Sequence, residues 1–307
     1  MLILANVEAT NGIKVSAKLL ENELPILDAL VEGISIVERD PKVRSVGYGG
    51  WPNMIGEMEF DAAVMDGTSR QIGAVGALQD SLSAVKVARE VMLRLPHVVL
   101  TSAGASRFAK ECGFEPEAVL MPDSKRVWRN KIEKTVAPNL IDQFPNIPLA
   151  PLSNLITDPE RVRDTTVFLG KDDKGDIAVC TSTSGWAWKY PGRLGDSPIP
   201  GAGFYADSRY GAAACTHTGE MTMRTSTARC IILAMQLGRS LEDAIKLAIE
   251  DLALLKGGFL GGVVIHAMDA NENYQVINFN CSETIRYWVW RDGMRTPEQK
   301  IAEKHTF

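Results

Sequence analysis

Asp164-Thr-Thr-Val-Phe-Leu-Gly-Lys-Asp-Asp-Lys-Gly-Asp-Ile-Ala-Val-Cys-Thr-Ser-Thr183 contains two short apolar runs on either side of a turn. Thr166 to Gly170 and Ile177 to Thr183 read as buried strands, with Asp173-Lys-Gly175 turning the chain between them. Neither run feeds the glycine-rich loop and helix of a nucleotide-binding unit. Upstream, prolines 138, 145, 148, 151 and 159 crowd a segment that no regular element tolerates, which predicts an exposed connector.

Before the connector, the apolar positions from Ala17 to Glu38 recur at helical spacing, with Pro25 near a helix start. Strand-like runs follow at Met58 to Met65 and Ile72 to Leu78, separated by Asp66-Gly67, a hairpin signal. Leu82 to Leu95 reads as helix, Val98 to Thr101 as strand and Ala105 to Cys112 as helix. After the strand pair, a Gly/Pro-rich loop runs from Pro191 to Gly203. A strand at Tyr210 to Thr216 leads into Gly219-Glu220 and a long helix to Leu237, and Leu241 to Leu255 is helical. Strands at Val263 to Met268, Tyr274 to Phe279 and Thr284 to Trp290 complete the pattern. Helices outside and strands inside predict an α+β sandwich rather than a doubly wound sheet.

The 307 residues carry 33 basic and 38 acidic side chains, a formal charge of −5, with 45% hydrophobic residues. This is the balance of a globular protein of one large domain or two small ones, without the positive field that nucleic acid or an anionic membrane demands. No apolar run is long enough for a membrane span, and Met1-Leu-Ile-Leu-Ala-Asn-Val-Glu8 lacks a signal peptide's basic region. The expectation is therefore a cytoplasmic protein; a periplasmic, secreted or lysosomal location would require a leader removed beforehand. The five cysteines and four histidines show no metal-ligand spacing, so the expectation is reduced thiols and no metal. Gly257, Gly258, Gly261 and Gly262 lack the Lys-Ser/Thr of a phosphate loop and read as a turn. Trp186, Trp188, Trp288 and Trp290 alternate as strand residues do, and Met221 and Met223 read as helix filler.

Without a metal or phosphate motif, the chemistry must come from an activated side chain. Asp164-Thr165-Thr166 stands where the connector meets a buried strand. A threonine hydroxyl is a weak nucleophile until a base takes its proton, and the threonine's own α-amine can serve if the chain is cut before it. With a pKa near ~7.7–8 that amine is poised at neutral pH. Taken locally, the three residues simply open a strand.

Their neighbours change the reading. Ser45-Val-Gly-Tyr-Gly-Gly-Trp-Pro52, Asp61-Ala-Ala-Val-Met-Asp-Gly67, Pro96-His-Val-Val-Leu100, Asp164-Thr165, Thr181-Ser-Thr-Ser-Gly185, Gly192-Arg-Leu-Gly-Asp-Ser-Pro198, Gly201-Ala-Gly203 and Cys215-Thr-His-Thr-Gly-Glu220 occur in that order. Together they resemble the glycosylasparaginases and the wider type-2 asparaginase family of N-terminal-nucleophile hydrolases, over nearly the whole chain. The resemblance implies a four-layer αββα fold in a single domain, 1–307, made as a precursor that cuts itself into an α chain 1–164 and a β chain 165–307. It places the scissile pair on Asp164 and Thr165 and the second catalytic threonine on Thr183. The substrate clamp falls on Arg193 for the α-carboxylate and Asp196 for the α-amine, with Gly219 beside it. The oxyanion hole falls on the Thr216 hydroxyl and the backbone N–H of His217.

The clamp makes chemical sense, since a guanidinium fork matches a carboxylate and an aspartate pairs with an ammonium. The implied reaction is hydrolysis of an asparagine side-chain amide, N4-(β-N-acetylglucosaminyl)-L-asparagine first, through a β-aspartyl ester on Thr165. No cofactor is implied, and the assembly is a homodimer of αβ heterodimers. Val167 stands where the family has glycine, His217 replaces its oxyanion-strand glycine, and the N-terminal tryptophan used near the sugar is absent. Two alternatives follow: an isoaspartyl peptidase or L-asparaginase, and a non-processing descendant that only binds amino acids. For His217 itself the expectation is a ring that points away from the site.

Overall fold

The computed structural model describes residues 1–159, 161 and 165–305. Its elements are, in order, β1 (Leu2–Asn6), α1 (Gly12–Glu21), α2 (Ile26–Arg39), β2 (Phe60–Asp66), β3 (Ile72–Leu78), α3 (Ala84–Arg94), β4 (Val99–Thr101), α4 (Ser102–Glu111), α5 (Pro122–Thr135) and α6 (Ser153–Ile156). There follow β5 (Thr166–Lys171), β6 (Ile177–Thr183), β7 (Phe204–Asp207), β8 (Gly211–His217), α7 (Gly219–Thr225), α8 (Thr227–Gln236), α9 (Leu241–Ala253), β9 (Val263–Asp269), β10 (Tyr274–Phe279), β11 (Arg286–Arg291), β12 (Glu298–Ile301) and β13 (Glu303–His305).

The two runs that opened the sequence reading pair antiparallel, Thr166 opposite Ser182 and Lys171 opposite Ile177. They lie at the centre of an eight-stranded sheet ordered β12-β11-β1-β5-β6-β2-β3-β4, and a five-stranded sheet, β13-β10-β9-β8-β7, stacks on it. Strand pleating sorts the side chains between two cores. Val167, Leu169, Ile177 and Val179 point into the gap between the sheets, where Phe204, Ala214, Val264 and Met268 meet them. Phe168, Ala178 and Cys180 point the other way, against α1 to α4. A third core joins the second sheet to α8 and α9. Helices, sheet, sheet, helices: the four layers expected. Because both faces of β5 and β6 are covered, neither strand shows polar alternation.

Several elements depart from the sequence reading. The helix expected over Ala17 to Glu38 is two helices: α1 ends in a Schellman turn, with Leu24 N–H on the Leu19 carbonyl and Glu23 N–H on that of Leu20. Glu23 takes the left-handed position at φ 62° that glycine usually fills, so the break carries no glycine signal. The helices then cross at a glycine pair: a Cβ on Gly12 would lie 2.3 Å from the Gly33 carbonyl oxygen. The long helix expected to Leu237 likewise breaks at Ser226, φ 49°. The proline-rich connector is not simply exposed. Phe144, Ile147, Leu149 and Leu152 pack on a satellite core of Trp51, Trp188, Ile132 and Ile156, together with α5, which the sequence reading missed. Trp186 and Trp188 lie outside the strands, whereas Trp288 and Trp290 sit on β11. Among the described residues no two cysteines are joined by a disulfide. Among the described residues no helix is long and apolar enough to cross a membrane.

Candidate active site

The start of β5 decides the geometry. Thr166 faces the helices and its buried hydroxyl has no hydrogen-bond partner, while pleating returns Thr165 to the gap between the sheets, opposite Thr183 in the β5–β6 register. Thr165 is 6% exposed, and Ser197 Oγ lies 3.4 Å from its Oγ1. The Ser197 carbonyl in turn accepts from Thr181 Oγ1 at 2.7 Å. Thr183 Oγ1 accepts the Gly185 N–H at 3.0 Å and caps the turn into the following loop. Across the gap, Thr216 and Ala214 are spaced by two on β8, so Thr216 shares the inward face. Thr165, Thr183 and Thr216 therefore all face the gap between the two sheets. Asp164 lies outside the described residues.

The loop from Ser184 to Gly203 is held from below by a buried ionic group that the sequence reading missed. Lys189 Nζ, 1% exposed at the side chain, lies 3.7 Å from Glu59 Oε2 and 3.9 Å from Asp61 Oδ2. Glu59 Oε1 accepts the Gly192 N–H at 2.9 Å, and Asp61 Oδ2 accepts that of Gly195 at 3.4 Å. The two carboxylates thus grip the backbone on either side of Arg193. The only signal available in the sequence was Asp61 within its motif; nothing local marks Lys189 as buried.

Arg193 stacks on Trp186, 4.2 Å from the ring centroid, and its fork engages Glu220 with Nε at 2.9 Å and Nη2 at 2.7 and 2.8 Å. Trp186 thus packs on the Arg193 guanidinium rather than within a sheet. Asp196 is 3% exposed and accepts from Thr222 Oγ1 at 2.6 Å. Burial pushes its carboxyl up to about 6, with the Thr222 bond and Arg193 opposing the rise. Gly219 is needed at this point, because a Cβ there would stand 2.8 Å from Asp196 Oδ1.

His217 turns toward the site, contrary to expectation. Its backbone holds φ 82°, a conformation suited to glycine, at a cost on the order of 1–3 kcal/mol. Its Nδ1 lies 3.0 Å from Thr216 Oγ1 and its Nε2 lies 3.4 Å from Glu283 Oε1. The hydrogen bond to His217 holds the Glu283 carboxyl down near 2. Beside this chain a cavity of about 250 Å³ opens between the sheets, lined by Asn6, Glu8, Thr216, His217, His266 and Arg286 among others. Asn6 Oδ1 accepts the Val167 N–H at 3.3 Å, so the cavity floor adjoins the strand that carries Thr165. His266 is 1% exposed, and burial lowers its pKa to about 3.

The site combines a hydroxyl at a strand start, a second threonine opposite, a hydroxyl across the gap and an Arg/Asp pair on a braced loop. Such a set can hold an amino-acid head group and stabilise an oxyanion. A family model described as asparaginase matches residues 6–297. An N(4)-(beta-N-acetylglucosaminyl)-L-asparaginase from Elizabethkingia miricola is 36% identical over 246 residues, spanning 80% of this chain and 65% of that protein. An isoaspartyl peptidase/L-asparaginase from Danio rerio is 34% identical over 265 residues, spanning 84% of this chain and 79% of that one.

Proposed function

The chain belongs to the asparaginase family of amidohydrolases, and we propose that it matures by cutting itself between Asp164 and Thr165 and then hydrolyses the side-chain amide of asparagine derivatives. The observation that carries this reading is the placement of Thr165: the sheet-to-sheet gap receives its hydroxyl, opposite Thr183 and near Ser197.

In this reading, Thr165 Oγ attacks the amide carbonyl while the freed α-amine of Thr165 takes its proton. The Thr216 hydroxyl and the His217 N–H hold the oxyanion. The leaving amine departs with the proton that the α-amine returns, leaving a β-aspartyl ester on Thr165. Water, deprotonated by the same amine, then opens the ester. Arg193 and Asp196 hold the substrate's α-carboxylate and α-amine, and Arg193 exchanges part of its Glu220 pairing for the substrate. Self-cleavage uses the same hydroxyl against the Asp164 carbonyl with the Asp164 carboxylate as base: an N-to-O acyl shift frees the Thr165 amine and leaves an ester, which water hydrolyses to a new C-terminal carboxylate on Asp164 and the Thr165 hydroxyl.

N4-(β-N-acetylglucosaminyl)-L-asparagine is the first substrate to test, following the relative from Elizabethkingia miricola. The cavity beside Thr216 favours a second reading. Its described walls include Arg286 and no tryptophan, tyrosine or phenylalanine, which suits the carboxylate of an isoaspartyl dipeptide better than a sugar face. Two experiments decide. On a denaturing gel the purified protein should resolve into pieces of 164 and 143 residues, with Thr165 as a new N-terminus, and Thr165→Ala should stay intact. A wild-type band that stays full length would leave the non-processing alternative. Side-by-side hydrolysis of the glycosylated asparagine, isoaspartyl dipeptides and asparagine then ranks the substrates.

A further inference from the structure

The sequence shows no metal-ligand spacing, yet the fold gathers a soft thiol, a borderline imidazole and a hard carboxylate from distant positions. His217, Cys281 and Glu283 bring one ligand atom each to within 4.8 Å of one another. His217 arrives at the end of β8. Cys281 and Glu283 come from the connection between β10 and β11, which Asn278 braces: its Oδ1 accepts the Cys281 N–H at 2.9 Å and its Nδ2 donates to the Glu283 carbonyl at 2.9 Å. Cys281 is 1% exposed. Ser282 Oγ donates to Glu283 Oε2 at 2.9 Å, leaving Oε1 toward His217.

We propose that His217 Nε2, Cys281 Sγ and Glu283 Oε1 form a binding site for a zinc-type divalent cation. The donor set of imidazole, thiolate and carboxylate is one that zinc and cobalt accept, and three protein ligands leave a fourth position open. A second observation points the same way. His266 lines the same cavity as His217 and Glu283, and both its ring nitrogens are buried without a hydrogen-bond partner. A buried imidazole with no partner is costly unless something in the cavity takes its lone pair. Around the ligands, Thr216 Oγ1 on His217 Nδ1 is the outer hydrogen bond that orients a metal-bound histidine.

Binding moves two protons. Cys281 gives up its thiol proton to solvent. With the cation on Nε2, the histidine proton sits on Nδ1 and is donated to Thr216 Oγ1. Thr216 then accepts from His217 and its own hydrogen turns to the cavity, where the oxyanion forms. Without the cation, a proton on Nε2 toward Glu283 leaves Nδ1 to accept the Thr216 hydrogen, drawing that donor away. The cation therefore favours acyl transfer; this consequence, unlike the binding, rests on the role of Thr216 in the proposed function.

Cobalt(II) added to the purified, metal-stripped protein reads both parts. The expected result is one cobalt per chain with a thiolate-to-cobalt charge-transfer band, lost in Cys281→Ser, and weakened binding in Glu283→Gln and His266→Phe. Glu283 is half exposed, so Glu283→Gln leaves the fold intact if Cys281→Ser does not. Absence of the band in wild type, or an unchanged cobalt affinity in both Cys281→Ser and Glu283→Gln, overturns the site. Zinc should raise kcat of the processed enzyme by about tenfold or more, and Cys281→Ser should keep its basal rate without that response; a zinc effect that persists in Cys281→Ser overturns the coupling. The cobalt spectrum is also recorded on Thr165→Ala, so a protein that binds cobalt but never cleaves separates failure of the function from failure of the site.

Discussion

In the proposed function, Asp196 sets both recognition of the substrate amine and its pH dependence. The carboxyl must be charged to hold an ammonium group, and burial raises it to about 6 in the free protein. Below that pH it is neutral, so kcat/KM should fall as pH drops through about 6, beyond the fall already under way as the Thr165 amine takes up a proton in the range of an ordinary α-amino group, about 7.7–8. Rates measured against pH with a substrate lacking the α-amine should keep the higher limb and lose the lower one. Asp196→Asn should cost about 10- to 100-fold in kcat/KM on substrates with the amine, the range of a hydrogen bond to a charged group. Arg193→Ala should lose most activity on any substrate with a free α-carboxylate; unchanged steady-state kinetics would take Arg193 out of the site.

Between elements, Glu38 is a joint whose ionisation bears on stability. It reaches from α2 to accept the Val85 N–H at the start of α3 and the Ser182 hydroxyl on β6, both on Oε1, while Oε2 is buried without a hydrogen-bond partner. Burial pushes the carboxyl up to about 7. In the unfolded chain it ionises near 4.5, so between about 4.5 and 7 the folded state holds the extra proton and stability falls as pH rises. The full cost above pH 7 is about 3 kcal/mol. Glu38→Gln keeps an acceptor on Oε1 and cannot ionise. Denaturant unfolding in the uncleaved Thr165→Ala background should show the gain from Glu38→Gln at pH 8 and little of it at pH 4.5; an equal gain at both would exclude ionisation as the cause. The same scale explains a failure of sequence reading. Glu38 sits in an apolar helix stripe with nothing nearby in sequence to show that Ser182, 144 positions away, is its partner.

For the whole molecule, the sheet order governs what cleavage can do. In β12-β11-β1-β5-β6-β2-β3-β4 the strands from before residue 165 are interleaved with those after it, β1 lying between β11 and β5. A cut at Asp164-Thr165 leaves every one of those ladders intact. The two pieces should therefore migrate separately on a denaturing gel yet elute together from a sizing column, at twice 33.5 kDa if the homodimer of αβ heterodimers forms. Dissociation without denaturant would contradict the interleaving.

Much was legible in the sequence for physical reasons that can be named. Strands buried on both faces announce themselves as continuous apolar runs, which made β5 and β6 readable, and short motifs in fixed order marked Thr165, Thr183, Arg193, Asp196 and Thr216. The break at Glu23 was legible only through Pro25, which caps the start of α2, and the break at Ser226 was not legible, since both use left-handed backbone without glycine. Nor was the packing of the connector on Trp51 and Trp188, because its apolar residues follow no period. The sequence by itself determined which strands would be buried and which hydroxyl and charged residues its ordered motifs single out, since both are written in local runs of residues. Tertiary structure alone decided that a second sheet stacks over the Thr165 face of β5, that Lys189 is buried beneath the Arg193 loop, and that His217 meets Cys281 and Glu283. Those facts arise from pleat parity, sheet stacking and long-range contact, which bring together side chains that the sequence keeps far apart.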